Sequence, residues 1–189
     1  MSDMTARFSE IVGNHNLLTG DAIPDDYFHD EVLTTAPQKP AYVAKPAPVD
    51  EVAQLLKAAT QHKVPVTARG SGTGLSGAAT PREDGLVISF ERMNAVLEVD
   101  TINQVAVVQP GVTLTELDAA TVDAGLSYMV QPGELSSSVG GNVGTNAGGM
   151  RAVKYGIAAT TCSGCRRCCR PARSSEPAAR SPRCPPVTT

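Results

Sequence analysis

Apolar and polar residues along this chain of 189 residues follow spacings that predict a mixed α+β fold. Near the start, apolar side chains recur at the spacing of an amphipathic helix that Ser2 or Asp3 would cap. Those apolar positions are Met4, Phe8, Ile11 and Val12. Residues 19–40 are rich in Gly and Pro, which predicts a loop that wraps around the rest of the domain.

A βαβ unit is predicted over residues 41–68. Residues 41–45 form its first strand, and Asp50 can cap a helix that runs to about His62. The apolar residues of this helix fall on one face, at Val52, Leu55, Leu56 and Ala59. Residues 64–68 form the second strand, so we expect two parallel strands joined by a right-handed crossover.

Further strands are predicted after this unit, and some of them are antiparallel. Residues 86–90 (LVISF) are apolar except for Ser89, which is typical of a buried strand. Residues 95–99 and 104–108 read as the two strands of a hairpin, and residues 127–130 as a final short strand. Parallel strands followed by antiparallel ones indicate an α+β domain.

A third helix is predicted between the hairpin and the last strand. Thr113 and Glu116 have the spacing of a capping box, which satisfies backbone donors at a helix start. The helix should end near Ala124, because Gly125 is suited to the left-handed conformation that terminates helices.

Two glycine-rich stretches carry the main functional indication. Residues 64–77 (VPVTARGSGTGLSG) join a short strand to a turn with four glycines, and residues 136–149 (SSSVGGNVGTNAGG) are similar in composition. Consecutive backbone N–H groups in such turns form a concave anion site, most often for phosphate. Two such loops suggest a ligand with a diphosphate, although glycines also serve only to build tight turns.

The first stretch matches the dinucleotide-binding pattern GxGxxG at Gly72, Gly74 and Gly77, but its context does not fit. That pattern needs its third glycine to lie inside a helix of a dozen or so residues, with the pyrophosphate at the helix N-terminus. Only residues 78–85 separate the turn from the next strand, and they include Pro81. A Walker phosphate loop also fails, because no Lys-Ser or Lys-Thr ends the glycine run.

Charge is distributed unevenly over the chain, whose net charge is −3. Beyond Thr161 there are six arginines and one acidic residue, which leaves 10 basic and 18 acidic residues in the remainder. An excess of acidic residues up to Thr161 argues against nucleic acid as a partner, because phosphate binding needs clustered Lys or Arg. No run of eighteen apolar residues and no signal peptide are recognised, so we expect a cytoplasmic protein without a transmembrane segment.

Three ordered motifs resemble a known family of flavoproteins. They are RGSGTGLSG at 69–77, VVQPGVTLTEL at 107–117 and SSSVGGNVGTNAGGMRAVKYG at 136–156. Together they resemble the PCMH-type FAD-binding domain of the vanillyl-alcohol-oxidase superfamily. The branch is that of the glycolate oxidase FAD subunit, D-lactate dehydrogenase and D-2-hydroxyglutarate dehydrogenase.

The resemblance implies an α+β domain of two α/β subdomains that binds FAD between two loops of backbone amides. Residues 1–40 would be an N-terminal helix and wrapping loop, 41–157 an incomplete FAD-binding domain, and 158–189 a disordered tail. The cofactor-binding residues implied in the first loop are Arg69, Gly70, Ser71, Gly72, Thr73, Gly74 and Gly77. Those implied further on are Pro132, Gly133, Ser137, Ser138, Gly140, Gly141, Asn142, Thr145, Asn146, Gly148 and Gly149.

We expect the FAD to be bound non-covalently. Covalent members of the superfamily carry a histidine in the first loop, and the matching position here is Thr73. The three histidines, His15, His29 and His62, lie at predicted helix ends or in a loop, where surface positions are expected. Ser, Thr and Asn in the second stretch can contact phosphate, ribitol or flavin, but local turn and cap bonds are their commoner use.

The implied activity is that of a flavin-dependent 2-hydroxy-acid oxidoreductase, in which hydride passes from the substrate Cα to the flavin. The family's substrate half cannot be placed in this sequence, so catalytic residues cannot be assigned and no turnover is expected from the chain alone. Partners would be a small 2-hydroxy acid and, in the intact enzyme, an electron-acceptor subunit. The alternatives are a non-catalytic truncated fragment, a binding module with a metal-loaded or redox-active tail, and sister families such as UDP-N-acetylenolpyruvoylglucosamine reductase and aryl-alcohol oxidases.

The tail beyond Thr161 holds all five cysteines and almost no large aliphatic residues. Cys162, Cys165 and Cys168 have the spacing of an iron–sulfur run, with Cys184 as a distant fourth ligand, but Ala172 stands where the expected fourth cysteine should be. A zinc knuckle lacks a nearby histidine, so no metal site is predicted. The abrupt change to Arg, Pro, Ala and Cys favours an out-of-frame end, which the coding DNA would test.

Overall fold

A computed structural model describes residues 2–165, 167–169 and 173–175. The chain divides into two compact units, Met1–Met93 with Cys168–Ser174 and Asn94–Arg167 with Ser175–Thr189. Residues before Ala41 contribute a helix and a strand to the first unit. The domain bounds proposed from the sequence, 1–40, 41–157 and 158–189, stay a prediction.

In chain order, the described residues form an α-helix, two strands, a second α-helix and four strands, followed by four further α-helices and two more strands. The helices are α1 (Ser2–Val12), α2 (Val49–Gln61), α3 (Leu114–Asp123), α4 (Val139–Gly144), α5 (Ala152–Tyr155) and α6 (Ala158–Thr161). The strands are β1 (Leu17–Thr19), β2 (Tyr42–Ala44), β3 (Val66–Arg69), β4 (Leu86–Ser89), β5 (Val96–Asp100), β6 (Val105–Val108), β7 (Arg167–Cys169) and β8 (Arg173–Ser175).

The first unit contains a four-stranded sheet in the order β1-β2-β4-β3. β1 is antiparallel to β2, whereas β2 and β3 both run parallel to β4. The two strands of the predicted βαβ unit are therefore parallel but not neighbours, because β4 lies between them. Every residue of β4 is buried, which explains why this apolar strand takes an inner position.

Helices α1 and α2 cover the sheet of the first unit with the apolar faces that were predicted. Phe8 is fully buried and meets the ring of Tyr42 edge-on, with centroids 5.2 Å apart. Leu55 of α2 is also fully buried in this core. Asp50, predicted as the cap of α2, lies inside the first turn instead, and the N-cap is Pro48 without a side-chain bond. The capping prediction was therefore wrong, although an acidic residue still favours a helix start.

The predicted wrapping loop contains more regular structure than expected. It begins at Thr19, the last residue of β1, and holds two short 3₁₀ helices, Gly20–Ala22 and Asp25–Phe28. Ile23 and Tyr27 are buried and pack with residues of β2 and β4 in a second apolar cluster. This segment is therefore part of the core of the first unit.

The second unit begins with the predicted antiparallel hairpin of β5 and β6, which has a register irregularity between Val96 and Glu98. The capping box of α3 is present, with Thr113 Oγ1 accepting from Glu116 N and Glu116 Oε2 accepting from Thr113 N. Gly125 follows α3 with φ +73°, as predicted.

One strand expected in the second unit is absent from the described residues. Residues 127–130 form no strand there, since a short apolar run needs a partner ladder and none is paired with it. Residues 158–161, which the proposed bounds place in the tail, form α6, and the buried Ala158 donates its N–H to Ala147 O. β7 and β8 pair as a separate two-stranded sheet.

Candidate functional site

The first glycine loop, residues 70–77, begins directly after β3. Ligands of parallel sheets bind at the carboxyl ends of strands, and this loop lies at that position. Gly72 and Gly77 have φ of +77° and +75°, a conformation that side chains disfavour. No helix forms between the loop and β4, which excludes the dinucleotide-binding arrangement of the GxGxxG pattern.

The backbone amides of this loop are unused by the protein. Within the described part of the chain, the N–H groups from Ser71 to Ala78 donate to no protein acceptor. The next amide, Ala79 N, donates to Asp30 Oδ2 at 3.3 Å. A run of unpaired amides with glycines at positive φ fits the chemistry of a diphosphate, which accepts several hydrogen bonds at once.

Arg69 supplies a positive charge at the start of the loop. Its side chain is buried, Nη1 donates to His29 O at 2.6 Å, and its guanidinium carbon lies 5.5 Å from the centre of the Tyr27 ring. A Cβ at Gly72 would come within 2.1 Å of Arg69 Nη2, so the loop passes directly over the guanidinium. Burial lowers the pKa of Arg69, and nearby acidic groups partly offset that effect.

A polar cluster lies beside the loop at the carboxyl ends of β2 and β4. Glu91 is its centre: it accepts from Tyr27 Oη at 2.6 Å and Ser89 Oγ at 3.1 Å, and forms an ion pair with Lys45 Nζ at 2.7 Å. These side chains and Arg69 line a cavity of about 360 Å³ that also touches Gly70 and Ser71.

The charges in this cluster stabilise one another. Burial raises the pKa of Tyr27, and its bond to Glu91 acts in the same direction. Burial opposes ionisation of Lys45 and Glu91, but the bonds between them prevail and raise the pKa of Lys45 while lowering that of Glu91. Both groups therefore carry their charges near neutral pH.

The second glycine segment, residues 136–149, differs in structure from the first. Its middle forms α4, whose start is capped by Ser138 Oγ accepting from Gly141 N at 3.2 Å. Val139 N and Gly140 N donate to the carbonyls of Val112 and Pro110, respectively. Thr145 N donates to Gly141 O. The two stretches therefore differ in structure, because the second uses amides within the protein that the open first loop leaves without an acceptor among the described residues. The cofactor role expected of both stretches stays a prediction.

Five side chains of the second segment are expected to face the cofactor, and each bonds to another group of the protein. Ser137 Oγ donates to Glu134 O and accepts from Asn142 Nδ2, while Ser138 is the cap of α4. Thr145 Oγ1 donates to Gly141 O, and Asn146 Oδ1 accepts from the more distant Ala159 N. All but the bond of Asn146 are the local roles considered as alternatives, and the role of the five side chains in cofactor binding stays a prediction.

Two glycines of the second segment pack against the protein's own backbone. A Cβ at Gly140 would lie 2.8 Å from Pro110 O, and one at Gly149 would lie 1.9 Å from Gln131 O. Gly133, next to Pro132, has open space and φ +107°. Among the described residues, the amides from Gly148 to Arg151 donate to no protein acceptor, so this end of the segment retains free donors.

The remaining candidate groups are the histidines, Thr73 and the cysteines. His15 and His62 are exposed and His29 is half-buried, while Thr73 lies half-buried within the first loop. No group of three His, Cys, Asp or Glu that could hold a metal ion occurs among the residues searched, which are the described ones. Cys184 lies outside the described residues, as do most residues of the predicted tail, so the cluster hypothesis is untested.

Four polar groups beside the first loop were not selected as candidates from the sequence: Asp30, Tyr27, Lys45 and Glu91, the last of which was rejected together with the dinucleotide-binding pattern. Lys45 follows β2 directly, and Glu91 lies two residues after β4. The carboxyl ends of strands are where α/β sheets place ligand-binding side chains, so these positions could have identified both. Asp30 carries no comparable indication in the sequence.

Comparisons with known proteins agree with the fold and with the predicted cofactor. The profile of a family described as FAD binding domain matches residues 40–168. An uncharacterized FAD-linked oxidoreductase of Mycobacterium tuberculosis is 80% identical over 158 residues, which cover 84% of this chain and 34% of that protein. D-lactate dehydrogenase of Anaerostipes hadrus is 42% identical over 154 residues, which cover 82% of this chain and 32% of that protein.

Solved structures show the same fold at lower identity. An alkyldihydroxyacetonephosphate synthase superimposes with a TM-score of 0.79 at 21% identity, over 88% of this chain and 33% of that one. The chain thus spans about a third of the length of the relatives that it matches. Further relatives are named glycolate oxidase subunit and D-2-hydroxyglutarate dehydrogenase, which confirms the predicted branch and the α+β fold class.

No helix in the described ranges is long and apolar enough to cross a membrane. The cytoplasmic location expected from the sequence stays a prediction.

Proposed function

The chain belongs to the family of FAD binding domains, and from this premise we propose that it is the FAD-binding part of a flavin-dependent oxidoreductase that acts on 2-hydroxy acids. The observation that supports this most directly is the run of amides from Ser71 to Ala78, which find no acceptor in the described part of the chain and lie beside the buried Arg69. The substrate class is proposed from relatives named D-lactate dehydrogenase and glycolate oxidase subunit.

The first glycine loop would bind the diphosphate of FAD. Its amides supply hydrogen bonds, the glycines let the backbone approach the phosphate oxygens closely, and Arg69 adds a positive charge beneath Gly72. In the second segment we assign the contact to the amides from Gly148 to Arg151, because those of α4 are already used within the protein.

FAD, when bound, supplies the acceptor for hydride from the substrate. The residues of this chain would bind and orient the cofactor, and none of them is assigned to the substrate or to proton transfer. We therefore expect no turnover from these 189 residues alone. An electron-acceptor subunit is a further proposed partner of the whole protein.

Retention of flavin by the purified chain tests the proposal. We expect flavin absorbance bands that remain with the native protein and leave the pellet after acid precipitation, since Thr73 replaces the histidine of covalent members. Flavin that stays in the pellet would contradict non-covalent binding.

Riboflavin, which lacks the ADP part of FAD and with it the diphosphate, serves as the control ligand. If the first loop binds the diphosphate, FAD should bind at least about tenfold more tightly than riboflavin, which corresponds to about 1.4 kcal/mol. Equal affinities for FAD and riboflavin would indicate that the first loop does not bind the diphosphate. No binding of either ligand would favour the alternative of a non-catalytic fragment.

A further inference from the structure

We propose that Asp30 is a positioning residue that holds the first glycine loop in the shape that binds a diphosphate. This inference rests on the proposed function. Asp30 precedes residues 40–168, which the family profile matches, and it lies outside the loop itself. It would act on the ligand only through the loop.

The carboxylate of Asp30 joins two segments that are far apart in sequence. Its side chain is only 4% exposed, Oδ1 accepts from Val32 N at 3.1 Å, and Oδ2 accepts from Ala79 N at 3.3 Å. A Cβ placed on Gly74 would lie 3.5 Å from Oδ2, so the loop also packs against this carboxylate. A buried carboxylate is tolerated only with such bonds, and both of its oxygens have one.

The neighbours of Asp30 hold the loop at two other points. His29 O accepts from Arg69 Nη1 at 2.6 Å, and Glu31 N donates to Gly74 O at 2.8 Å. We call residues 29–32 the brace segment. It contacts Arg69 directly before the loop, Gly74 in the loop and Ala79 just after the loop. The bonds fix one side of the loop backbone.

The amides on the loop remain available because these bonds use other groups. The brace segment takes the Gly74 carbonyl and the Ala79 amide, while the amides from Ser71 to Ala78 keep no protein acceptor among the described residues. Glycine-rich segments are costly to order, so a loop ordered before binding gives higher affinity. Asp30 contributes to that preorganisation.

The variants Asp30→Asn and Asp30→Ala test this role in the full chain. Asparagine keeps the shape but replaces one acceptor oxygen with a donor, so either Val32 N or Ala79 N loses its partner. We expect the Kd for FAD to rise at least about tenfold, because the competent loop conformation becomes less populated. Asp25→Asn, at an exposed position of the preceding 3₁₀ helix Asp25–Phe28, is the control and should leave Kd unchanged.

Amide hydrogen exchange without FAD supplies a readout that does not depend on cofactor binding. Asp30→Asn should accelerate exchange in residues 70–80 while peptides of α1 keep their wild-type rates. A merely structural role would accelerate both. If the wild-type chain binds FAD and Asp30→Asn binds it equally well, the inference is wrong and the proposed function stands.

The remaining outcomes also decide the question. If the wild-type chain binds no FAD, the proposed function fails for this chain, and the exchange experiment still tests the brace segment. If both Asp30 variants fail to fold, wild-type exchange is decisive: Ala79 N should exchange more slowly than the amides from Ser71 to Ala78. Equal rates would overturn the inference.

Discussion

Replacement of Gly149 by alanine should destabilise the second unit because the protein's own backbone occupies the space of the added methyl group. That methyl group would lie 1.9 Å from Gln131 O, 2.7 Å from Gln131 C and 3.0 Å from Pro132 Cα. To reach ordinary contact at 3.4 Å, the methyl group and the carbonyl oxygen must separate by about 1.5 Å. No flexible side chain can absorb this shift.

Overpacking of this kind costs about 1–3 kcal/mol, and we expect the upper end because only backbone atoms are involved. Gly144→Ala is the matched control: no atom lies within 4 Å of its Cβ position, and Gly144 is in α4, where alanine has the higher helix propensity.

The assay is denaturant unfolding of the FAD-free chain, followed by far-UV circular dichroism because the chain has no Trp. Amide hydrogen exchange, measured on peptides from the second unit, shows where the stability is lost. A Gly149→Ala variant as stable as the wild type would show that residues 131–132 do not pack closely against Gly149.

Two further predictions concern the first unit. Leu55→Ala should cost about 2–5 kcal/mol in unfolding free energy, because Leu55 is fully buried, whereas Leu33→Ala, at 99% exposure, should change it by less than about 0.5 kcal/mol. Equal effects in thermal or urea unfolding would contradict the core assignment. Glu91→Gln removes a carboxylate whose pKa is lowered by Lys45 and Tyr27 against the effect of burial. A lowered pKa stabilises the fold above the ordinary value of 4.5, so the advantage of wild type over Glu91→Gln should be present at neutral pH and disappear as pH falls through the lowered pKa. A pH-independent difference would exclude ionic coupling.

Helices and strands with a strong local pattern were predictable from the sequence. The capping box of α3 and the stop at Gly125 are short-range features, so the residues that specify them are adjacent in the chain. The apolar face of α2 was predictable for the same reason, since the buried residues of a helix recur with the helical period.

Features that depend on distant parts of the chain were not predictable in the same way. The apolar run at 127–130 looked like a strand, but a strand requires a partner whose position the local pattern does not specify. The position of β4 between β2 and β3 is likewise set by tertiary pairing. Asp30 meets Ala79 across 49 residues of sequence, so its role could be recognised only from coordinates.

The two glycine-rich stretches show why composition alone could not define the candidate site. Glycine permits close backbone approach, but the approaching group can be a ligand or the protein itself. Beside the first loop, Asp30 and Arg69 bond to other groups. The amides from Ser71 to Ala78 therefore have no acceptor among the described residues. In the second segment Ser138 starts a helix that uses most of the amides, and Gln131 fills the space beside Gly149. Since an amide can serve a diphosphate only if the fold has not already used it, the first loop is the stronger candidate for the main diphosphate contact.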